Sequence, residues 1–387
     1  MERVSPVLYR ILFALVLAAG SVSPRFALAA GDVFTVRNIP VDATAAGAAE
    51  AREIAIAQGE RAGFERLVPR LTRKQDWGFT ANVTEPQVAA LVLGIEVAEE
   101  RSSATRYFGR ITYSFKPGAV RQLLNQSQIP FSEARSKPAI VLPVLDSGGL
   151  HLWDDPNPWR TAWARRDLTD ELVPVLVPLN DLEDSNLVSA AKAANATWAD
   201  VSAIAEKYGL ERVLVAVAHV RGGTLTVNIS QIAANQNQSS SFSFPVGTDL
   251  TASLDQAVGS ALDRVYDQWK TATIVVYGQE NTLLASTFFS NLSDWLSIQR
   301  RLRQAPTVHS VDILGLSSQG AQIRLSYGGT VEQLKITLEQ ISLALSERDG
   351  YWELALTERA ARAAPAAAGT TGTTGPAPAK PALKPHP

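Results

Sequence analysis

The chain has 387 residues, of which 46% are hydrophobic and 19% charged, with 25 Gly and 21 Pro. That is material for two or three cores of ordinary size, which excludes a wholly disordered or collagen-like polymer. A formal charge of −2 (36 basic against 38 acidic residues) gives no strong grip on nucleic acid or anionic lipid, and the absence of cysteine removes disulfides, thiolate metal sites and cysteine nucleophiles together.

Arg3 and Arg10 precede an apolar run from Ile11 to Ala19, and the segment closes on Ala27-Leu28-Ala29. This is the layout of a secretory signal peptide over residues 1–29, cleaved after Ala29 or Ala30. The run is shorter than the ~20 apolar residues that cross a bilayer, so an uncleaved anchor is the weaker alternative. The expected mature chain is periplasmic, with no integral membrane segment.

Three helix-backed sheet modules are expected, of α/β and α+β class. In the first, residues 32–136, Val33 to Ile39 alternates as a strand, and Asp42 or Thr44 can cap the helix that follows. That helix runs to Leu71, with Phe64, Leu67, Val68 and Leu71 at i, i+3, i+4 and i+7 and Pro69 loosening its last turn. Gly59 and Gly63 lie four apart on it and admit a close-packed strand. A short helix from Glu85, strands at Ile95–Arg101 and Arg106–Phe115, and a helix opened by Pro117 complete the module.

The second module, residues 137–271, starts with the apolar strand Ala139–Leu145 and continues, after a Trp-rich insertion, with a strand at Val173–Leu179. Thr197 and Asp200 form a capping box before the stripe Val201, Ile204, Ala205, Tyr208, and Gly209 stops the helix. Val213–Val217 reads as a strand buried on both faces. Leu225, Val227 and Ile229 mark a one-sided strand joined to it by Gly222-Gly223, and Phe242 and Phe244 continue the alternation. A helix carrying Leu250, Leu254, Ala257, Ala261, Val265 and Trp269 closes a mixed sheet.

The third module, residues 273–358, has the order βαββαβ of a ferredoxin-like unit: strands at Ile274–Tyr277 and Leu283–Phe289, a helix with Leu292, Trp295 and Leu302, and strands at Val308–Leu314 and Ala321–Tyr327. A helix capped by Thr330 and Gln333 with the stripe Leu334, Leu338, Ile341, Leu345 follows, then a strand through Trp352, Leu354 and Leu356. Ser114-Phe115 with Val120, Gln122 and Leu123 echoes Ser326-Tyr327 with Val331, Gln333 and Leu334. A duplication and a chance likeness of two strand-to-helix junctions both account for it. Residues 359–387 fall to Ala, Pro, Gly and Thr and are expected to be a disordered tail.

His151, His219, His309 and His386 stand in four separate contexts, none at metal-ligand spacing, so neither a metal nor a cofactor is expected. His219, ending a buried strand, reads as a hydrogen-bonded residue at the edge of the core. The sequence holds no G-x-S-x-G elbow, no phosphate-binding G-x-x-x-x-G-K and no G-x-G-x-x-G after a strand. The concentrated signal is the insertion after Asp146, where Trp153, Trp159 and Trp163 fall within eleven residues. If the strands ending at Asp146 and near Asp181 are parallel neighbours, both acids meet at the carboxyl edge of the sheet under a Trp arch. That makes Trp153, Trp159, Trp163, Asp146, Asp154 and Asp181 candidate binding residues. The structural alternative puts Trp159 and Trp163 in the core, with Asp154 or Asn157 capping their helix.

Val33-Phe34-Thr35-Val36, Ala51-Arg52, Gly63-Phe64-Glu65-Arg66-Leu67, Tyr113-Ser114-Phe115 and Pro138-Ala139-Ile140-Val141-Leu142-Pro143-Val144 before Asn157-Pro158-Trp159 resemble the bacterial periplasmic family called domain of unknown function 2066. The resemblance covers most of the mature chain and implies export and architecture, since the family carries no known activity. At the level of fold, the middle module is similar to envelope accessory modules of the kind found in curli secretion and penicillin-binding-protein activation. The expectation is a non-catalytic accessory or scaffold of the cell envelope that binds an envelope protein or a peptidoglycan-associated partner. The alternative is a hydrolase of cell-wall glycan or peptide working through Asp146, Asp154 or Asp181.

Overall fold

A computed structural model describes residues 32–275, 280–348, 350–358 and 360. The leader expected at 1–29 lies outside these residues, as do positions 276 and 277 of the strand expected at Ile274–Tyr277 and all of the expected tail but Ala360. Three helix-associated sheets fall into two compact units. One is Lys137–Arg264; the other combines Val33–Ser136 with the chain from Val265 onward. No described helix is long and apolar enough to cross a membrane.

In the second of these units, the first sheet is built from β1 (Thr35–Thr44), β2 (Val92–Ser102) and β3 (Arg106–Phe115), in the antiparallel order β1-β3-β2. Helices α1 (Ala48–Leu71), α2 (Glu85–Leu91) and α3 (Pro117–Gln126) accompany it. Tyr107, Ile111, Tyr113 and Phe115 alternate inward along β3, and α1 buries Phe64, Leu67, Val68 and Leu71. A Cβ on Gly59 would strike the Tyr113 hydroxyl and come within 2.7 Å of Val41 Cγ1, so the missing side chain is what lets α1 sit on the sheet. Asp42 and Thr44 do not cap α1. Both belong to β1, and Gly47 holds the N-cap position.

The same unit holds β10 (Glu280–Phe288), α9 (Leu292–Gln304), β11 (Val308–Leu316), β12 (Gly320–Gly328), α10 (Val331–Gln340), β13 (Leu343–Arg348) and β14 (Tyr351–Leu356), with strand order β11-β12-β10-β14-β13. The helix expected to reach Leu345 stops at Gln340. Ser342 takes a left-handed φ of 58°, and Leu343 and Leu345 then alternate inward along a strand. The order is therefore βαββαββ: β14 runs parallel to β10 and β13 is the outer strand, which departs from the expected ferredoxin-like βαββαβ. The two sheets of this unit share one plan. Strand, helix, hairpin and helix recur with the third strand antiparallel between the first two, and the Ser-aromatic echo marks the end of the middle strand in both.

The central unit contains β4 (Ala139–Asp146), β5 (Leu150–His151), α4 (Pro158–Ala164), β6 (Val175–Leu176), α5 (Leu182–Leu187), α6 (Ala190–Ala194), α7 (Trp198–Lys207), β7 (Val213–Arg221), β8 (Thr224–Ala233) and β9 (Gln236–Pro245). It also takes the first part, to Arg264, of α8 (Leu250–Thr273). Its sheet runs β5-β4-β7-β8-β9, parallel between β4 and β7 and antiparallel through the β7–β9 meander. Ile140, Leu142, Val144, Val213, Val215 and Val217 pack against Val201, Ile204, Ala205 and Tyr208 of the α7 segment. The strand expected at Val173–Leu179 shrinks to Val175–Leu176, because Pro174 and Pro178 have no N–H to give a ladder.

Candidate binding surface

Beyond Asp146 the chain turns through Gly148, at a φ of 102°, and returns as β5, pairing Leu145 with His151 and Asp146 with Leu150. Asn157 then caps α4: its Oδ1 accepts from Arg160 N at 3.0 Å, while its Nδ2 donates to Leu152 O at 3.3 Å. With Pro158 in the first turn, this cap aims the next two indoles inward. Trp159 and Trp163 are fully buried, edge to face with centroids 5.7 Å apart, and Trp159 Nε1 donates to Ala216 O of β7 at 2.9 Å. These two side chains are core and leave the list of contact residues. Trp153 is half-buried, packs on the α7 side of the sheet and donates to Val188 O at 2.6 Å. Asp154 is exposed, 3.2 Å from His151 Nδ1, and Asp155 pairs with Arg160.

Asp146 and Asp181 do not meet. β6 pairs only with Ala139 and Ile140, so this stretch of chain leaves the sheet well before the level of Asp146. Asp181 instead caps α5, its Oδ1 accepting from Asp184 N at 2.8 Å and from Lys207 Nζ at 2.6 Å. Next to it Asp184, with no exposed surface, accepts from Lys207 Nζ at 2.8 Å, Tyr208 Oη at 2.9 Å and Asn180 N at 2.9 Å. The Lys207 hydrogen bond, helped by the Asp184 N–H, holds the Asp181 carboxyl below its usual range. Burial pushes the Tyr208 phenol up to about 12.

Asp146 heads a different network. A carboxylate only accepts, so His219 Nδ1, 2.8 Å from Asp146 Oδ2, is the donor, and Arg221 Nη2 donates to the same oxygen at 2.8 Å. His219 Nε2 lies 3.2 Å from Asn228 Nδ2, and Asn228 Oδ1 accepts from Ser241 Oγ at 2.7 Å. Hydrogen bonds thus connect Asp146, His219, Asn228 and Ser241 across β4, β7, β8 and β9 in one direction. Thr226–Ser243 and Ser230–Ser239 hydroxyl pairs flank them at 2.8 and 2.9 Å. His219 is hydrogen-bonded at the edge of the core, as its position suggests. Arg221, Asn228 and Ser241 are the members that sequence reasoning missed. Their signal is a change of character at constant period: Val213, Val215 and Val217 are followed on the same face by His219 and Arg221.

The His219 hydrogen bond first, then the Arg221 charge, hold the Asp146 carboxyl below its ordinary value of 3.8. A depressed acid stabilises the fold above its unfolded value and loses that contribution as pH falls through its folded value. The stability that the Asp146 carboxylate contributes over Asp146→Asn, read as a gap in thermal stability, is therefore expected to be present above about pH 4 and to be lost below it. A gap that widens below pH 3 contradicts this assignment.

No group of three or more His, Asp or Glu that could hold a metal occurs among the described residues. No family model matches the chain, and no curated protein matches it. Among solved structures it is similar to the LpoB C-terminal domain from Salmonella enterica, with 14% identity and a TM-score of 0.19 over 33% of this chain and 92% of that one.

Proposed function

We propose that this chain is an exported, periplasmic accessory or scaffold protein of the bacterial cell envelope, of the family it resembles, acting by binding another protein. The contact surface in this reading is the polar end of the central sheet, with Asp146, His219, Arg221 and Asn228, together with the exposed Asp154 of the loop that follows β5. The observation that carries it is the hydrogen-bonded row on strands β4 to β9. Its members are fixed by the sheet before any partner arrives, and the Arg221 side chain, 78% exposed, is anchored through a single nitrogen. The leader layout supports export. The hydrolase alternative needs a facing acid pair, and Asp146, Asp154 and Asp181 each sit in a separate hydrogen-bonded group.

Arg221→Glu is expected to weaken capture of the envelope partner about tenfold, a loss of roughly 1.4 kcal/mol, with the fold retained by circular dichroism at the working temperature. Crosslinking in the native envelope identifies the partner, and capture measured with Arg221→Glu and Asp154→Arg tests the surface. Undiminished capture by both variants refutes it.

A further inference from the structure

The outer strands of the three sheets are protected against pairing in every case but one. β1 breaks register between Val36 and Ile39. β2 breaks it twice and carries Glu96, Glu99, Glu100 and Arg101. β11 breaks it twice, β13 ends in Glu347-Arg348, and β5 has only two residues. Bulges, charges and short length are the usual devices that stop an edge from recruiting another chain. β9 has none of them. Its ten residues, Gln236 to Pro245, include no charge, keep unbroken register with β8, and are all exposed or half-exposed. Its other edge is unpaired among the described residues.

The hairpin fixes which backbone groups face outward. Val246 N donates to Gly223 O at 2.8 Å, and closely bonded pairs recur at every second residue of an antiparallel ladder. The even-numbered residues of β9 therefore bond to β8, while Asn237, Ser239, Ser241 and Ser243 turn their N–H and C=O groups away from it. Pro245, which has no N–H, ends the row.

We propose that β9 pairs antiparallel with β9 of a second copy of this chain, about a two-fold axis through Ser240. In this register Asn237 bonds to Ser243 of the second copy and Ser239 to Ser241 of the second copy, so every outward N–H of the four residues finds a carbonyl. Shifting the axis by one residue toward Pro245 places Asn237 against Pro245, which cannot donate, and shifting it the other way places Ser243 against Asn235, in the turn before β9. The charge pattern favours a like strand. Two-fold pairing sets the strand against itself, a charge at its centre would meet its own copy, and β9 has none. On the opposite face Gln238 comes beside Phe242, whose ring already lies under Arg264 at 4.7 Å.

The chain has no cysteine, so Ser240→Cys introduces a single thiol. On the axis the two thiols face each other in a non-bonded pair with Cα atoms about 4.5 Å apart, within disulfide reach. Mild oxidation of full-length Ser240→Cys is expected to give a covalent dimer, and Gln236→Cys, off the axis, is not. Ser239→Pro leaves the β8 ladder intact because that N–H faces outward, and it is expected to halve the mass seen by sedimentation equilibrium. A wild-type monomer at all concentrations overturns the proposal. So does crosslinking that is equal at Gln236→Cys and Ser240→Cys, or a dimer that survives Ser239→Pro. A monomer that loses an envelope partner on Ser239→Pro assigns the edge to that partner and overturns it too.

Discussion

Trp159→Ala is expected to destabilise the central unit by about 3–5 kcal/mol, the usual range for removing a large buried aromatic side chain. Trp159 has no exposed surface, meets Trp163 edge to face, and satisfies Ala216 O from within the sheet. Truncation leaves a cavity under β7 and takes the indole donor away from the Ala216 carbonyl. The conservative pair separates the two contributions. Trp159→Phe keeps most of the volume and loses the hydrogen bond, whereas Trp163 Nε1 has no hydrogen-bond partner, so Trp163→Phe removes an unsatisfied donor. Urea unfolding of the central unit should therefore rank Trp159→Ala well below Trp159→Phe, with Trp163→Phe the mildest. A midpoint for Trp159→Ala equal to wild type would return the side chain to the surface and reopen its role in partner contact.

That ranking depends on something the sequence states only in part. Asn157-Pro158 announces a helix start, and two Trp four apart announce one helical face, but neither says whether that face meets solvent or sheet. Where the signal is local, the structure follows it. The Thr197–Asp200 box, the Val201 to Tyr208 stripe and Gly209, at a φ of 67°, bound α7 as expected, and Gly59 and Gly63 lie against Tyr113 and Phe115. Where two periods fit the same residues, it does not. Leu345 lies four after Ile341 and two after Leu343, and the strand period wins because Ser342 ends the helical turn. The candidate site failed at a longer range still. Pairing Asp146 with Asp181 required a register between β4 and β6 that two prolines cut short. The row actually formed draws one residue from each of four strands, a coincidence of registers that no single segment encodes.

Asp184 has a larger role than its sequence context suggests. Asp184→Ala is expected to cost about 3 kcal/mol, because a buried acceptor is removed from under donors that stay in place. Lys207 would keep Asp181 at 2.6 Å and Glu183 at 3.4 Å, but the Tyr208 hydroxyl, which accepts from Leu179 N at 2.8 Å, would lose its own acceptor inside the core. The N–H groups of Asn180 and Asp181 would lose theirs as well, loosening the start of α5. Asp184→Asn preserves the shape but turns a donor toward Lys207 or Tyr208, so it should recover little. Adding Tyr208→Phe to Asp184→Ala removes the hydroxyl that Asp184 accepted from, and should cost less than the sum of the two single changes. Strict additivity in that cycle, or a single-variant loss below about 0.5 kcal/mol, would mean that water satisfies these donors and that α5 is held to α7 by its apolar contacts alone.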